Sequence, residues 1–548
     1  MNTANSVTEV RRDYVLLFVL ALLIRLLVAL SISHPGYMDA AYSYDIALNL
    51  ARGQGFVEPF LWNYLDDPAG LSHPSHLYWM PLPTILAWIG IALLGESYRS
   101  AQIPFAILAA LLPLVSYGVA LQVTGRRRHG WLAGLLTLFS GFYMPYWSHT
   151  DNFAPFALAG SLSLVAAWQA GQAREKKLKA GVWALAAGAL AGLAHLSRAD
   201  GPLLLVAILM ASGKWQMANL KSQISNLKSQ ITNLKSQITN RKSWHLMFVV
   251  LGYMLAMLPW FIRNWLVIGA PLPAAGAQTI WLTTYDDLFS YGRELSLQTY
   301  LAWGWANILR SKLDALWLNL QTLLAVLGMV FLAPLAPVGW WRLRWHPLLR
   351  LAAWYGLLLF LAMTFVFTFP GPRGGLFHSG GALLPFIFTA AAAGLDAWVE
   401  WAATRRRGWD LRLARQVFGA GVVGMALLVS AFVYYQKLVV DPAWRQGALS
   451  YTHLAEWLES EGQAEAVVMV GDPPGYWYYS GGPSIVVPNE PLETVLAVAD
   501  RYGARYLVLD RNRPRPLAAL YEGEETHPRL SLVETLIGDL CVYHIVPP

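Results

Sequence analysis

The sequence predicts a polytopic α-helical membrane protein of about eleven transmembrane helices, with a small C-terminal soluble α/β domain. Three observations lead there. Hydrophobic residues make up 56% of the 548 residues and charged residues only 13%, roughly half the charged share of a soluble chain. Apolar runs of about 20 residues recur along the chain, each long enough to cross a bilayer. Lys and Arg gather in short loops between those runs, where the positive-inside bias places them. The net charge of +7 therefore follows from topology and gives no reason to expect a nucleic-acid partner. The single Cys541 excludes an intramolecular disulfide.

Arg11 and Arg12 precede the first span, Tyr14–Ser33, and set the N-terminus in the cytoplasm. Arg25 interrupts this run and no small-residue cleavage site follows, so the segment reads as retained, not as a signal peptide. Near mid-span, Arg25 itself suits a snorkelling or helix-pairing role. Residues 36–102 then form the first outer loop. Inside it, Trp79–Leu94 is apolar but short, and Pro81 and Pro83 break it. If this segment crossed, Arg126, Arg127, Arg128 and every later basic loop would lie outside, so it reads as interfacial or re-entrant.

The remaining spans are Ile103–Val123, Trp131–Trp147, Phe153–Ala170, Gly181–Leu196 and Gly201–Ala211 in the first half. His245–Ile268, Leu313–Pro334, Leu351–Phe369, Ala382–Val399 and Gln416–Tyr435 complete the set. Between the halves, residues 214–243 form a cytoplasmic insert of low complexity. Its Leu220, Ile224, Leu227, Ile231, Leu234 and Ile238 alternate at four and three, the seam of a heptad repeat. A short coiled coil and a tolerated tandem duplication both fit it. The chain thus divides into a membrane domain, 1–440, and an extracytoplasmic domain, 441–548. In the latter, Ala466–Val470 and Arg505–Leu509 read as strands, Leu492–Tyr502 as a helix, and the GDPPGYW stretch from Gly471 as a turn.

In this layout the intramembrane and interfacial polar residues collect on one side. Asp39, His149 with Asp151, Arg198 with Asp200, Arg263, and Arg373 with His378 all stand at outer ends of spans. The first outer loop adds Tyr37, Tyr42, Tyr44, Asp66, Asp67, His73 and His76. Such a site suits a sugar carried on a polyprenyl phosphate, whose lipid stays in the bilayer while its head group meets water. Transfer needs a base for the acceptor proton and cations for the phosphate. Asp39 is the candidate base; Arg263, Arg198 and Arg373 are candidate phosphate ligands, because a guanidinium binds phosphate through two parallel hydrogen bonds. Tyr42, Asp66, Asp67, His73, His76, Asp151, Asp200 and His378 are candidates for substrate binding or loop ordering. Trp62, Tyr64 and Trp79 suit either sugar stacking or an interfacial aromatic belt.

These residues resemble the GT-C fold glycosyltransferases, in particular the group of protein O-mannosyltransferases and lipid A aminoarabinose transferases. That group's first outer loop opens on an Asp followed by an A-x-x-L-x-x-G-x-G-F run, matched by Asp39, Ala47–Leu50 and Gly53–Phe56. Its proline-rich interfacial helix is matched at Tyr78–Pro83, its short-loop Asp at Asp151, its G-L-A-x-L-x-R-x-D-G at Gly192–Gly201 and its P-W-x-x-R-N at Pro259–Asn264. The resemblance covers about residues 10–270, and the rest in layout only. It implies an inverting transferase on the outer face of the plasma or inner membrane. The implied partners are a polyprenyl-phosphate sugar, membrane lipid, and a glycan, lipid or protein acceptor. The family's second acidic residue is Ala40 here, so Asp39 acts alone or Asp45, Asp66 or Asp67 takes the partner role. The resemblance fixes no cofactor; some relatives use a divalent metal, for which Asp66, Asp67, His73 and His76 are the candidate ligands. Two other classes fit the composition, a lipid-linked sugar transporter or flippase and an inactive scaffold. A transporter predicts inverted repeats and discontinuous helices at mid-membrane, which the sequence does not display.

Overall fold

The computed structural model describes residues 3–173, 176–211, 231–367, 374–406, 408–441, 443–537 and 539–548. Among the described residues, eight helices are long and apolar enough to cross a membrane: Val7–Ser31, Tyr98–Thr124, Phe153–Gln172, Lys177–Ser197, Trp244–Ile268, Pro347–Phe365, Gly375–Ala403 and Leu411–Val440. Most of the heptad insert lies outside the described residues; its last repeat is part of the helix Ile231–Ile268.

Charge marks one end of the bundle. Asp13 pairs with Arg127 and accepts the Tyr117 hydroxyl at 2.7 Å. Asp396 gathers Arg126 at 2.6 Å, His129 at 2.8 Å and Arg128. Glu400 binds Arg342 at 2.7 Å and Arg415 at 2.8 Å. The N-terminal helix and the basic stretches near 127, 342 and 415 therefore share one end. Asp39, Asp151, Asp200 and His378 stand at the other end, where Tyr37 bonds Asp151 and Ser379 bonds Asp200.

This two-ended layout corrects the form of three expected spans. Trp131–Trp147 is not one helix: Arg127–Leu138 stops, and a 3₁₀ turn at Gly141–Tyr143 completes the crossing. Buried Arg25 explains how the break is tolerated. Its guanidinium donates to the carbonyls of Leu138 at 3.0 Å and Thr137 at 3.3 Å, groups that a helix end leaves without partners. Leu313–Pro334 is likewise interrupted. The helix Trp305–Thr322 gives way to a π turn at Leu323–Leu327, and a separate helix, Leu335–Leu343, reaches the arginine end. Gly201–Ala211 is the short helix Pro202–Ala211. The proline-broken segment is the helix Leu82–Leu94, and just beyond its end Glu96 pairs with Arg52 at 2.9 Å. Arg52 follows the loop helix Met38–Ala51, so Leu82–Leu94 begins and ends on the Asp39 side.

Close helix pairs rest on glycine. A Cβ at Gly188 would lie 1.8 Å from the Val249 carbonyl, and one at Gly252 would lie 2.0 Å from that of Leu185. The helices Lys177–Ser197 and Trp244–Ile268 thus touch backbone to backbone, as small residues allow in membranes.

The C-terminal domain is a six-stranded sheet between helices, and one strand comes from elsewhere. The order is Phe60–Leu61, Ser484–Val486, Val467–Val470, Ala504–Leu509, Leu540–Ile545, Leu530–Leu536. The first four are parallel and the last two pair antiparallel. Phe60 pairs with Ser484 and Leu61 with Ile485, so the loop at 36–102 supplies an edge strand. Tyr64 donates to the Val486 carbonyl, Tyr502 to the Pro68 carbonyl at 2.8 Å, and Arg501 pairs with Asp67 at 2.8 Å. The boundary expected at 441 therefore cuts a structural unit. The two strands and the helix Leu492–Tyr502 form where expected. The GDPPGYW stretch does not form a turn: Pro473–Ser480 is a helix, capped by the Asp472 carboxylate on the Gly475 amide at 3.0 Å. Asp followed by two prolines is a helix-start pattern, with Pro tolerated in the first turn.

Candidate functional site

The loop helix Met38–Ala51 starts from extended Tyr37 and places Asp39 in its first turn. A helix N-terminus ordinarily favours the ionised carboxylate. Here burial outweighs it: the Asp39 carboxyl is pushed up to about 8, chiefly by desolvation and next by the charge of Asp151, against the pull of Arg198. Asp472 of the soluble domain adds to the upward push.

Asp151 is the group held closest in role. Its Oδ2 accepts the Tyr37 hydroxyl at 2.9 Å, and its Oδ1 accepts the Asn152 amide at 2.6 Å and side-chain nitrogen at 2.7 Å. The neighbouring Thr150 hydroxyl donates to the Ala40 carbonyl at 2.7 Å. Two hydrogen bonds thus clamp the 149–152 loop to the residues flanking Asp39. Burial raises the Asp151 carboxyl too, opposed by Asn152, Tyr37 and Arg198.

Two further segments close the site. Asp200 accepts the Ser379 hydroxyl on both oxygens, at 2.7 and 2.8 Å, and lies 3.4 Å from the Arg198 Nε. Burial raises its carboxyl against the charge of Arg198. His378 lies with Nδ1 3.1 Å from the Asn152 Oδ1 and stacks on Phe153 at 4.3 Å. Four stretches far apart in sequence, at 37–40, 149–152, 198–200 and 378–379, therefore meet at one end of the bundle. Arg198 is the cation whose charge reaches Asp39, Asp151 and Asp200 alike. It also forms a local ion pair with Asp200, two residues away.

Other candidates are placed differently. Arg263 donates to the carbonyls of Ser75 at 3.0 Å and Phe56 at 3.3 Å and to Asn264 at 3.1 Å, and it lies over the Trp260 ring at 4.8 Å. It pins the first loop to the helix Ile231–Ile268. Tyr42 donates to Glu58 at 2.6 Å and accepts the His76 amide at 2.7 Å, which makes it a loop-ordering residue. His73 stands 3.1 Å from Glu58 and 3.9 Å from Asp66, and His76 bonds the Trp79 carbonyl at 3.2 Å. Asp67 is spent on Arg501. Among the described residues no group of three or more His, Cys, Asp or Glu is placed to hold a metal ion. Trp62 is buried and its face is stacked on Trp79 at 3.8 Å. Arg373 lies outside the described residues. Sequence reasoning missed Glu58, Trp444 and Asp472. Glu58 carries no motif, and Trp444 and Asp472 reach the site only through the docking of the soluble domain.

Comparison with known proteins identifies the architecture. Residues 72–234 match the family model described as dolichyl-phosphate-mannose-protein mannosyltransferase. The apo crystal structure of ArnT from Cupriavidus metallidurans superposes with a TM-score of 0.58 at 14% identity, covering 98% of this chain and 99% of that one. The same protein bound to undecaprenyl phosphate gives 0.52 at 14% identity, with the same coverage. The Archaeoglobus fulgidus oligosaccharyltransferase AglB, in complex with an inhibitory peptide and a dolichol-phosphate, gives 0.51 at 13% identity, covering 91% of this chain and 69% of that one. No curated protein matches the chain by sequence. What is shared with these structures is the fold. The chain is an integral membrane protein of the GT-C fold, with a C-terminal α/β region.

Proposed function

We propose that the protein is an inverting glycosyltransferase that moves a sugar from a polyprenyl-phosphate donor to an acceptor hydroxyl at the outer face of the membrane. The convergence of Asp39, Asp151, Asp200 and Arg198 at one end of the spans, beneath the soluble domain, carries this reading. The undecaprenyl phosphate bound by ArnT and the dolichol-phosphate bound by AglB, two proteins of this fold, support a lipid-phosphate donor. The positive-inside bias supports the orientation: the end rich in arginine faces the cytoplasm.

In the reaction, the acceptor oxygen bonds to the anomeric carbon as the bond from that carbon to the phosphate oxygen breaks. The acceptor proton passes to Asp39, and polyprenyl phosphate leaves with one more negative charge. Arg198 is the donor-phosphate ligand at hand, and that extra charge is what it stabilises. Burial first, then the charges of Asp151 and Asp472, make Asp39 a strong enough base to take a proton near neutral pH, which an ordinary aspartate near 3.8 is not. The lipid tail remains among the spans throughout.

The test is transfer of radiolabelled sugar from lipid-linked donors by the protein reconstituted in lipid. Asp39→Asn keeps the size and polarity and removes the base; turnover is expected to fall by about 10²-fold or more while donor binding survives. Turnover near that of the wild type would remove Asp39 from the reaction.

A further inference from the structure

At the arginine-rich end of the bundle, two acids tie four helix ends together. The helix Leu335–Leu343 carries Arg342 in its last turn, and Leu384–Ala403 carries Asp396 and Glu400. These two helices touch backbone to backbone. A Cβ at Gly339 would lie 1.8 Å from the Ala390 carbonyl oxygen, and one at Gly394 would lie 1.9 Å from that of Leu335. The contact sets Arg342 beside Glu400 at 2.7 Å. Buried Asp396 holds Arg126 at 2.6 Å and also Arg128, both from the start of the helix Arg127–Leu138. Arg415, near the start of Leu411–Tyr435, bridges the two acids, 2.8 Å from Glu400 and 3.7 Å from Asp396.

The acids do not use these arginines up. Arg126, Arg128, Arg342 and Arg415 stand against two carboxylates, an excess of two positive charges. Arg126 gives one nitrogen to Asp396, and Arg342 one to Glu400. A guanidinium carries more N–H groups than one such bond employs. The side chains of Arg126 and Arg342 are 54% and 48% exposed, so the remaining donors reach the surface. The ion pairs hold them in place beforehand, which reduces the ordering that binding an anion costs.

The surroundings are those of a lipid. Two more arginines lie at the same helix ends, Arg344 over the Trp341 ring at 4.1 Å and Arg405 over the Trp401 ring at 4.0 Å. Both tryptophans are exposed, as rings at the level of lipid head groups are. Toward mid-membrane the patch continues into apolar surface, with Leu413, Val417 and Phe418 exposed on the helix Leu411–Tyr435. A soluble anion would satisfy the arginines and leave the tryptophans and the apolar wall unused. A phospholipid answers both: guanidinium forks take its phosphate oxygens, as in basic pockets between spans, and its chains lie along the wall.

We propose that this end of the bundle holds an anionic phospholipid, with its phosphate on Arg126, Arg342 and Arg415 and its chains against the outer face of Leu411–Tyr435. The site is apart from that of the proposed donor, which lies at the opposite end, and it does not rest on the glycosyl-transfer reading.

The test uses the full chain in neutral detergent, with native mass spectrometry to count bound lipid. Dioleoyl phosphatidylglycerol is titrated against dioleoyl phosphatidylcholine. Wild type is expected to bind the anionic lipid about tenfold more tightly than the neutral one. Arg126→Gln with Arg342→Gln is expected to abolish that preference. Arg344→Gln with Arg405→Gln leaves Asp396 and Glu400 paired; it is expected to weaken phosphatidylglycerol binding severalfold with an unchanged thermal midpoint. Arg11→Gln with Arg12→Gln removes the same charge from exposed positions of the N-terminal helix at the same end, and is expected to bind as wild type does. Calorimetry with inorganic phosphate is expected to show no comparable binding. A wild type that does not prefer phosphatidylglycerol overturns the proposal, as does wild-type binding in both patch variants. An equal loss in the Arg11 and Arg12 variant would show bulk charge at work instead of a site, and phosphate that binds as tightly as the lipid would give the site to a soluble anion; either result also overturns it.

Discussion

The raised proton affinity of Asp39 predicts how activity depends on pH. A base must be unprotonated to accept the acceptor's proton, so kcat/KM rises with pH through the pKa of the free enzyme. With the carboxyl at about 8, about 1% is ionised at pH 6, about 10% at pH 7 and half at pH 8. Activity should therefore climb by about tenfold per unit between pH 6 and 7 and level off above about pH 8. An aspartate left at 3.8 would give a flat profile over the same range.

The cause of the shift supplies a second arm. Desolvation is the largest contribution and the Asp151 charge the next. Asp151→Asn removes that like charge and keeps the shape, so the midpoint should move to lower pH while the plateau stays within reach of wild type. The assay is sugar transfer at fixed donor and acceptor over about pH 5.5 to 9, with Asp39→Asn as the zero. A flat wild-type profile, or a midpoint that rises in Asp151→Asn, would refute the electrostatic reasoning. A sloped profile that survives in Asp39→Asn would assign the titration to another group, with Asp200 the first to replace.

Arg198→Ala should raise the donor KM before it alters kcat, by about 1.5–3 kcal/mol in binding if one charge-assisted hydrogen bond to the phosphate is lost. Arg263→Ala should instead lower the thermal midpoint, because it strips partners from the Phe56 and Ser75 carbonyls at about 1–3 kcal/mol for each group left buried; a selective loss of donor binding with unchanged stability would return Arg263 to the phosphate site. Gly188→Val places a side chain into the Val249 carbonyl, and should destabilise the folded protein by about 3 kcal/mol or more, read as loss of monodisperse protein on size exclusion. Asp45 is fully buried with neither carboxylate oxygen partnered, and burial raises its carboxyl well above 3.8. Its stabilising contribution is present at low pH and fades as pH rises through the raised value, so Asp45→Asn should gain in thermal midpoint over wild type as the buffer is made more alkaline.

The membrane domain was legible because one physical rule dominates it. Apolar length and loop charge group the span ends, and the ion pairs of Asp13, Asp396 and Glu400 with arginines gather at one end of the bundle. Helix continuity was not legible. Nothing in Trp131–Trp147 announces a stop after Leu138, since the carbonyls freed there are satisfied by Arg25, more than a hundred residues earlier. Reading Arg25 as structural was correct in kind, but its partner could be found only in three dimensions. The grouping of Asp39, Asp151, Asp200 and His378 followed from topology, because residues at the same ends of packed spans have little choice but to be neighbours. Arg263 shares that end and yet serves the first loop; a guanidinium suits a carbonyl as well as a phosphate, and spacing does not choose between them.

The soluble domain is where sequence order misleads most, and the reason bears on the site. A two-residue strand such as Phe60–Leu61 is too short to announce itself by alternation, and it gains its pairing from Ser484–Val486 far along the chain. That pairing makes the first outer loop and the C-terminal domain one body. The loop carries Asp39 at one end of its helix and the edge strand beyond the other. The domain carries Asp472 and Trp444, which meet the same helix from above. Any movement of the domain therefore moves Asp472, one of the charges that raise the proton affinity of Asp39. Weakening the joint away from the chemistry, at Arg501 with Asp67 or at Tyr502 with the Pro68 carbonyl, acts on Asp39 only through that connection. A loosened joint admits water around Asp39 and draws Asp472 away, and both changes lower its pKa toward that of an ordinary aspartate.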